Sequence, residues 1–154
     1  MALTVGDKAP DFTLKSNAQE EVTLSQELTK GPVVLAFFPL AFSGVCTKQF
    51  TDMGRDVDAW SENGARVFGV SVDHAYSLDA FAKSVGAEGI TFLSDFQPRG
   101  EVAKKYGVFL DGPGITTRAM FVIDQGGKIT HAEAMDAPPD MPDVEAARAA
   151  ACAL

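Results

Sequence analysis

The feature that most restricts how this chain can fold is the turn Pro39–Thr47, which separates an apolar run from an amphipathic segment. The run Val33–Phe38 is predicted to be a buried strand, and Pro39 ends it because proline cannot donate to a strand ladder. Within Thr47–Trp60, apolar residues recur at the spacing of one helix face: Phe50, Met53, Val57 and Trp60. The sequence therefore predicts a strand, a turn and a helix, with Cys46 where the helix begins.

The position of Cys46 favours chemistry at its sulfur. A helix N-terminus carries unpaired N–H groups and the positive end of the helix dipole, and both favour a thiolate over a thiol. Ser43 is placed to cap this helix, and its hydroxyl could face the sulfur. An inert cysteine that only fills the core is the usual alternative, and the strand–turn–helix setting argues against it.

Composition limits the kinds of partner. The 154 residues are predicted to form one domain, residues 1–154. The net charge of −8 argues against nucleic acid and anionic membranes, because both require clustered basic residues. No apolar run approaches the roughly 20 residues of a membrane span, and the first ten residues do not resemble a signal peptide.

The cysteines indicate a reducing compartment. There are only two, Cys46 and Cys152, and their wide separation is not a disulfide framework. We therefore expect the protein in the cytoplasm. Cys152 lies in the predicted closing helix between alanines, where a small apolar side chain suits the helix wall. We expect it to pack, and the alternative is a thiol that resolves the oxidised Cys46.

Hydrophobic periodicity and turn residues predict an α/β protein. The order is a β-hairpin, strand, helix, strand, helix, short strand, short helix, a second hairpin and a closing helix. This order predicts a thioredoxin-like fold with an added N-terminal β-hairpin, in which helices flank a central mixed sheet. Beyond the first strand and helix, strands are predicted at residues 9–14, 21–24, 66–72, 90–93, 118–124 and 128–134. Helices are predicted at residues 73 or 77 to 86, 99–106 and 143–153.

The residues of the turn resemble a known family. Pro39, Ser43 and Cys46 match the peroxiredoxin signature, a Pro followed by a Thr or Ser and then by the peroxidatic Cys. The similarity spans Val5 to about Glu133 and is greatest to the one-cysteine alkyl hydroperoxide reductase E group. Further matching segments are residues 5–12, 37–42, 70–73, 93–96 with Pro98 and Gly100, 106–108, and Arg118 with 121–124.

This resemblance implies a thiol-dependent peroxidase that reduces hydrogen peroxide and organic hydroperoxides while Cys46 becomes a sulfenic acid. A thiolate that attacks a peroxide moves charge to the leaving oxygen, so the site needs donors for both oxygens. By this resemblance, Arg118 is the cation of the site. It is the first residue of a predicted apolar strand, where an unpaired charge is costly. The alternative is a surface arginine. The backbone N–H groups of Val45 and Cys46 and the Ser43 hydroxyl would be further donors.

Other residues receive supporting roles by the same resemblance. Pro39 would shield Cys46 from water, and Phe42 would line the substrate site and contact the partner of a homodimer. The aromatic residues Phe37, Phe38, Phe42 and Phe50 could form a peroxide channel, although aromatic residues are more often core.

The chain departs from the family pattern at two positions. Gln49 stands where many members have Glu, and Thr51 stands where some have a resolving Cys. Because no second cysteine motif is present, an external thiol or a thioredoxin- or glutaredoxin-like protein is expected to reduce the oxidised enzyme.

No cofactor and no metal are predicted. His74 and His131 lack the spacing of a metal site and are expected at the surface, and Gly126-Gly127 is a turn rather than a phosphate loop. The alternative function is a thioredoxin-like binding scaffold or redox sensor without turnover.

Overall fold

The computed structural model describes Met1–Leu154. Its strands are β1 (Thr13–Ser16), β2 (Glu21–Thr23), β3 (Val33–Phe37), β4 (Arg66–Ser71), β5 (Thr91–Ser94), β6 (Phe109–Leu110), β7 (Ile115–Thr116), β8 (Ala119–Ile123) and β9 (Ile129–Ala134). Its helices are α1 (Leu24–Glu27), α2 (Gly44–Arg55), α3 (Val57–Trp60), α4 (Ala75–Ser84), α5 (Glu101–Lys105) and α6 (Val144–Cys152).

Seven strands form the central sheet in the order β2-β1-β5-β4-β3-β8-β9. The strands β3, β4 and β5 run parallel, and the remaining neighbours are antiparallel. The central strands β3 and β8 are buried along their whole length because apolar layers cover both faces of the sheet. The predicted mixed sheet with an N-terminal hairpin is confirmed.

The two apolar layers differ in their helices. One contains buried residues of α2, α3, α4 and α6, and Cys46 belongs to it. The other contains the N-terminal segment, α1 and α5, with Tyr106 packed among aromatic rings. Burial raises the pKa of the Tyr106 hydroxyl, which donates to the Pro10 carbonyl at 2.8 Å. The Cys46 thiol therefore lies on the face of the sheet that the longer helices cover.

The structure corrects several predicted boundaries. The predicted helix Thr47–Trp60 begins earlier, at Gly44, and Asp56 divides it into α2 and α3 with φ −106° and ψ 20°. The apolar spacing continues through this break, so periodicity alone does not reveal it. The small β6–β7 hairpin was not predicted, because each strand has two residues and a Gly/Pro-rich turn joins them.

The start of α4 was also predicted wrongly, at Asp73 or Ser77. The helix begins at Ala75, and His74 is its N-cap: the ring Nδ1 accepts the Tyr76 N–H at 3.2 Å. Histidine is not among the preferred capping residues, so the cap could not be expected from residue type.

Candidate active site

The first turn of α2 places Cys46 and leaves donors beside it. Thr47 donates the first helical hydrogen bond, to the Ser43 carbonyl at 2.9 Å. The N–H groups of Val45 and Cys46 precede that bond, so they have no partner within the helix. Cys46 itself is fully buried, whereas Phe42, Ser43 and Gly44, which precede it in the turn, are exposed. The predicted junction of strand and helix is thus present, with Cys46 inside the first turn rather than before it.

Arg118 contacts the sulfur directly. Its Nη1 donates to the Cys46 Sγ at 3.0 Å, although the two residues are 72 positions apart. The contact arises because β3 and β8 are adjacent in the sheet, which brings the entry of β8 to the exit of β3. Only 2% of Arg118 is exposed, so the surface alternative is wrong.

Two further acceptors orient the guanidinium. Nη1 also donates to the Gln49 Oε1 at 2.8 Å, and Nη2 donates to the Pro138 carbonyl at 2.9 Å. Gln49 is as buried as Arg118, and its Nε2 contacts the Met53 sulfur at 3.8 Å. All three acceptors of the guanidinium are therefore a sulfur or a neutral oxygen.

Ser43 occupies the N-cap position, but its side chain does not cap the helix. The hydroxyl donates to the Leu40 carbonyl at 3.0 Å and forms no hydrogen bond with the Cys46 sulfur. The prediction of a side-chain cap is therefore wrong. The residue is exposed, so its hydroxyl lies at the surface of the turn.

Pro39 and Asp73 hold the turn in place through burial and hydrogen bonding. Pro39 is buried two residues after Phe37, where β3 ends. The Asp73 carboxylate accepts the Ala41 N–H at 2.8 Å and the Ser71 hydroxyl at 2.7 Å. The sequence does not predict this link between β4 and the turn, because Asp73 stands there only as a possible helix start and as part of the matching segment 70–73. Its signal was a charged residue directly after a buried strand, at the carboxyl edge where sites of α/β proteins gather.

Phe42 differs from the other aromatic residues of the turn. It is 56% exposed with φ +69°, a conformation that is strained for an aromatic residue. Its ring meets the edge of Phe81 at a centroid distance of 5.4 Å. Phe37, Phe38 and Phe50 are fully buried, so they belong to the core and do not line an open channel.

The histidines lie outside the site. His74 is exposed, whereas His131 is half-buried in β9 with its Nε2 buried and unpartnered, so the prediction of a surface position holds only for His74. The structure contains no group of three or more His, Cys, Asp or Glu side chains that could hold a metal ion. It also contains no helix that is long and apolar enough to cross a membrane.

Asp95, part of the matching segment after β5, has a structural role. Its carboxylate accepts the N–H groups of Val102 and Ala103 at 3.1 and 2.9 Å and so holds the start of α5. Burial raises the pKa of this carboxyl, against the opposing effect of those hydrogen bonds.

Cys152 is half-buried and packs against α3. Its Sγ donates to the Ala59 carbonyl at 3.2 Å, and neither cysteine is in a disulfide. The partner of Cys152 is thus a neighbouring helix, which agrees with the predicted packing role.

If Cys46 reacts with peroxide as the resemblance implies, Cys152→Ala is expected to leave the rate of peroxide consumption within about twofold of the parent, since the Cys152 thiol contacts the Ala59 carbonyl. Non-reducing peptide mapping after one equivalent of peroxide should show no Cys46–Cys152 peptide. A disulfide that disappears in Cys152→Ala would instead assign it the resolving role.

Comparison with known sequences identifies similar proteins. A model of the AhpC/TSA family matches residues 5–132. Alkyl hydroperoxide reductase E of Mycobacterium tuberculosis is 38% identical over 133 residues, which cover 85% of this chain and 85% of that protein. Thiol peroxidase of Oceanobacillus iheyensis is 31% identical over 143 residues, which cover 92% of this chain and 84% of that protein.

Solved structures give the same result. Peroxidoxin BcpB from Mycobacterium tuberculosis superposes with a TM-score of 0.86 at 29% identity, covering 99% of this chain and 98% of that one. The reduced 2-Cys peroxiredoxin of Plasmodium vivax superposes with a TM-score of 0.81 at 29% identity, covering 96% and 94% of the two chains. The likeness extends over nearly the whole chain.

Proposed function

The chain belongs to the AhpC/TSA family, as a peroxiredoxin, and we propose that Cys46 and Arg118 are its peroxidatic pair. It is a thiol-dependent peroxidase, as the resemblance implied. The observation that carries the assignment of the residues is the contact of 3.0 Å between the Arg118 Nη1 and the Cys46 Sγ. A buried guanidinium is costly without a counterion, and a thiolate supplies one.

The reaction begins with attack of the Cys46 thiolate on one oxygen of the hydroperoxide. The O–O bond breaks, the sulfur keeps one oxygen, and the second oxygen leaves as an alcohol or water after it takes up a proton. Cys46 becomes a sulfenic acid and the peroxide is reduced by two electrons. The Arg118 guanidinium and the free N–H groups of Val45 and Cys46 are placed beside the sulfur, where charge moves towards the leaving oxygen.

The neighbouring residues would shape this step. Pro39, buried under the turn, would keep water from the sulfur. Ser43 would donate to the peroxide after its hydroxyl turns from the Leu40 carbonyl, and Phe42 would contact the organic part of the substrate. The alternative of a binding scaffold does not account for the buried Arg118, because an inert neutral thiol would not offset the charge of its guanidinium.

Regeneration would use an external reductant, either a low-molecular-weight thiol or a thioredoxin- or glutaredoxin-like protein. The support is that Cys152 is engaged with Ala59 on α3. This makes the enzyme one of the one-cysteine type. Two free cysteines also fit a reducing compartment such as the cytoplasm, which stays a prediction.

A homodimer would form beside the active site. Four large apolar side chains are exposed on the turn, the first turn of α4 and the β5–α5 loop: Leu40, Phe42, Tyr76 and Phe96. His74 joins two of them, since its ring stacks on Tyr76 and meets the edge of Phe96. Exposed apolar side chains of this size favour burial against another chain.

One equivalent of hydroperoxide is expected to convert Cys46 to a sulfenic acid that dimedone traps, and excess peroxide should yield the sulfinic acid. The measurement is stopped-flow oxidation of the reduced protein by several peroxides, followed by peptide mass spectrometry. Peroxide that is consumed without any mass change at Cys46 would contradict the assignment.

A further inference from the structure

The charge around the reacting sulfur is unusual because Arg118 has no carboxylate partner. Its hydrogen-bond acceptors are the Cys46 sulfur, the Gln49 amide oxygen and the Pro138 carbonyl. No ion pair of the molecule within 4.0 Å includes Arg118. Since only 2% of Arg118 is exposed, solvent does not replace the missing anion. Within 4.0 Å, Cys46 is therefore the one group that can supply a negative charge to this guanidinium.

Turnover therefore changes the charge balance of the site. As long as Cys46 is a thiolate, the buried pair is neutral overall. Reaction with peroxide turns the thiolate into an uncharged sulfenic acid, and the guanidinium keeps only neutral acceptors. A buried charge that has only neutral partners is costly, and the approach of an anion lowers that cost.

We propose that a small thiol, attacking as the thiolate, reduces the oxidised site, and that the neutral amide of Gln49 makes this site favour an anionic thiol over a cationic one. The inference rests on the proposed function and extends it to the reductive half of the cycle. The first thiolate attacks the sulfenic sulfur, forms a mixed disulfide and expels hydroxide, which takes up a proton. A second thiolate attacks the reductant's sulfur and releases the Cys46 thiolate. Cys46 gains two electrons, and two thiols become one disulfide.

Gln49 determines the preference through its amide oxygen. The Oε1 lies 2.8 Å from the Arg118 Nη1 that also contacts Cys46. A glutamate in the same position would place a permanent carboxylate on that nitrogen and offset its charge in every state of the cycle. The neutral amide keeps the hydrogen bond and leaves the positive charge for the reacting groups.

The surroundings favour a small reductant. Cys46 is fully buried, so any reductant has to displace neighbouring residues to reach its sulfur, and a small thiol displaces fewer of them than a protein would. The net charge of −8 does not prevent its approach, because surface charges are screened beyond about 8 Å at physiological ionic strength. The buried guanidinium is screened much less.

The test compares three thiols of similar size with the parent and with three variants. The sulfenic acid is first formed with one equivalent of peroxide and then reduced by 2-mercaptoethanesulfonate, 2-mercaptoethanol or 2-aminoethanethiol at equal thiolate concentration. The parent is expected to react fastest with the sulfonate and slowest with the amine. Gln49→Glu should lower the rate with the sulfonate about tenfold or more and reverse this order, since the added carboxylate opposes the incoming charge.

Two variants separate charge from other effects. Gln49→Met removes the hydrogen bond without adding charge and should keep the parent's order. Gln26→Glu adds the same charge at an exposed position of α1, outside the site, and should also keep the parent's order. An unchanged order in Gln49→Glu, or reduction by a redoxin protein but by none of the three thiols, would overturn the inference. Failure of the proposed function is distinguishable, because no sulfenic acid would form before any thiol is added.

Discussion

Cys46→Ser is expected to abolish peroxide consumption, because a serine hydroxyl next to the same guanidinium stays protonated and is a poor nucleophile towards peroxide. The fold should persist, since Ser is smaller than Cys and the site already holds polar groups. Loss of hydrogen peroxide and of an organic hydroperoxide with a saturating thiol reductant measures the effect. We expect the residual rate to equal that of the thiol alone.

The matched control is Cys152→Ser, which makes the same change on α6. Its rate of peroxide consumption should stay close to that of the parent, since its thiol contacts only the Ala59 carbonyl. Appreciable turnover in Cys46→Ser would mean that another residue reacts with peroxide, and it would contradict the assignment of Cys46 and Arg118 as the peroxidatic pair.

Arg118→Met is expected to slow the oxidation of Cys46 by about 10²–10³-fold, the usual cost of losing one donor to a developing charge. Methionine fills much of the same volume without the guanidinium. The loss should appear in the second-order rate constant for peroxide, measured by stopped flow in a single turnover. That design separates the oxidation of Cys46 from its later reduction.

Arg99→Met is the control for removal of a guanidinium. Arg99 is exposed and donates only to the Gly114 carbonyl at 3.4 Å, outside the site. Its rate should match the parent, and a thermal unfolding midpoint for both variants checks the fold. If Arg118→Met oxidised as fast as Arg99→Met, the contact with the sulfur would have no role in the reaction.

Much of the architecture could be predicted from local pattern. The buried run of β3 and the helix after it follow from apolar spacing, and Pro39 marks the exit of the strand. The role of Arg118 follows from the resemblance to the peroxiredoxins, and its place at the start of an apolar strand supports that role because an unpaired charge there is costly. In the structure the Arg118 guanidinium lies 3.0 Å from the Cys46 sulfur.

The remaining features depend on tertiary contacts that residue type does not encode. The hydrogen bond between Arg118 and Gln49 joins residues 69 positions apart. The hydroxyl of Ser43 could satisfy several acceptors, and it donates to the Leu40 carbonyl rather than to the helix. The Asp73 carboxylate faces the turn because the end of β4 lies beside it, which requires the sheet order.

The contact between Arg118 and Pro138 has a consequence for how this enzyme tolerates mutation. The acceptor is a backbone carbonyl, so every amino acid at position 138 offers it, and substitution scanning would register the position as permissive. A change in the chain length between β9 and α6 would not be tolerated in the same way, because one inserted or deleted residue would move the carbonyl away from the guanidinium. Indel sensitivity in residues 135–143 would thus report on the active site where substitutions do not.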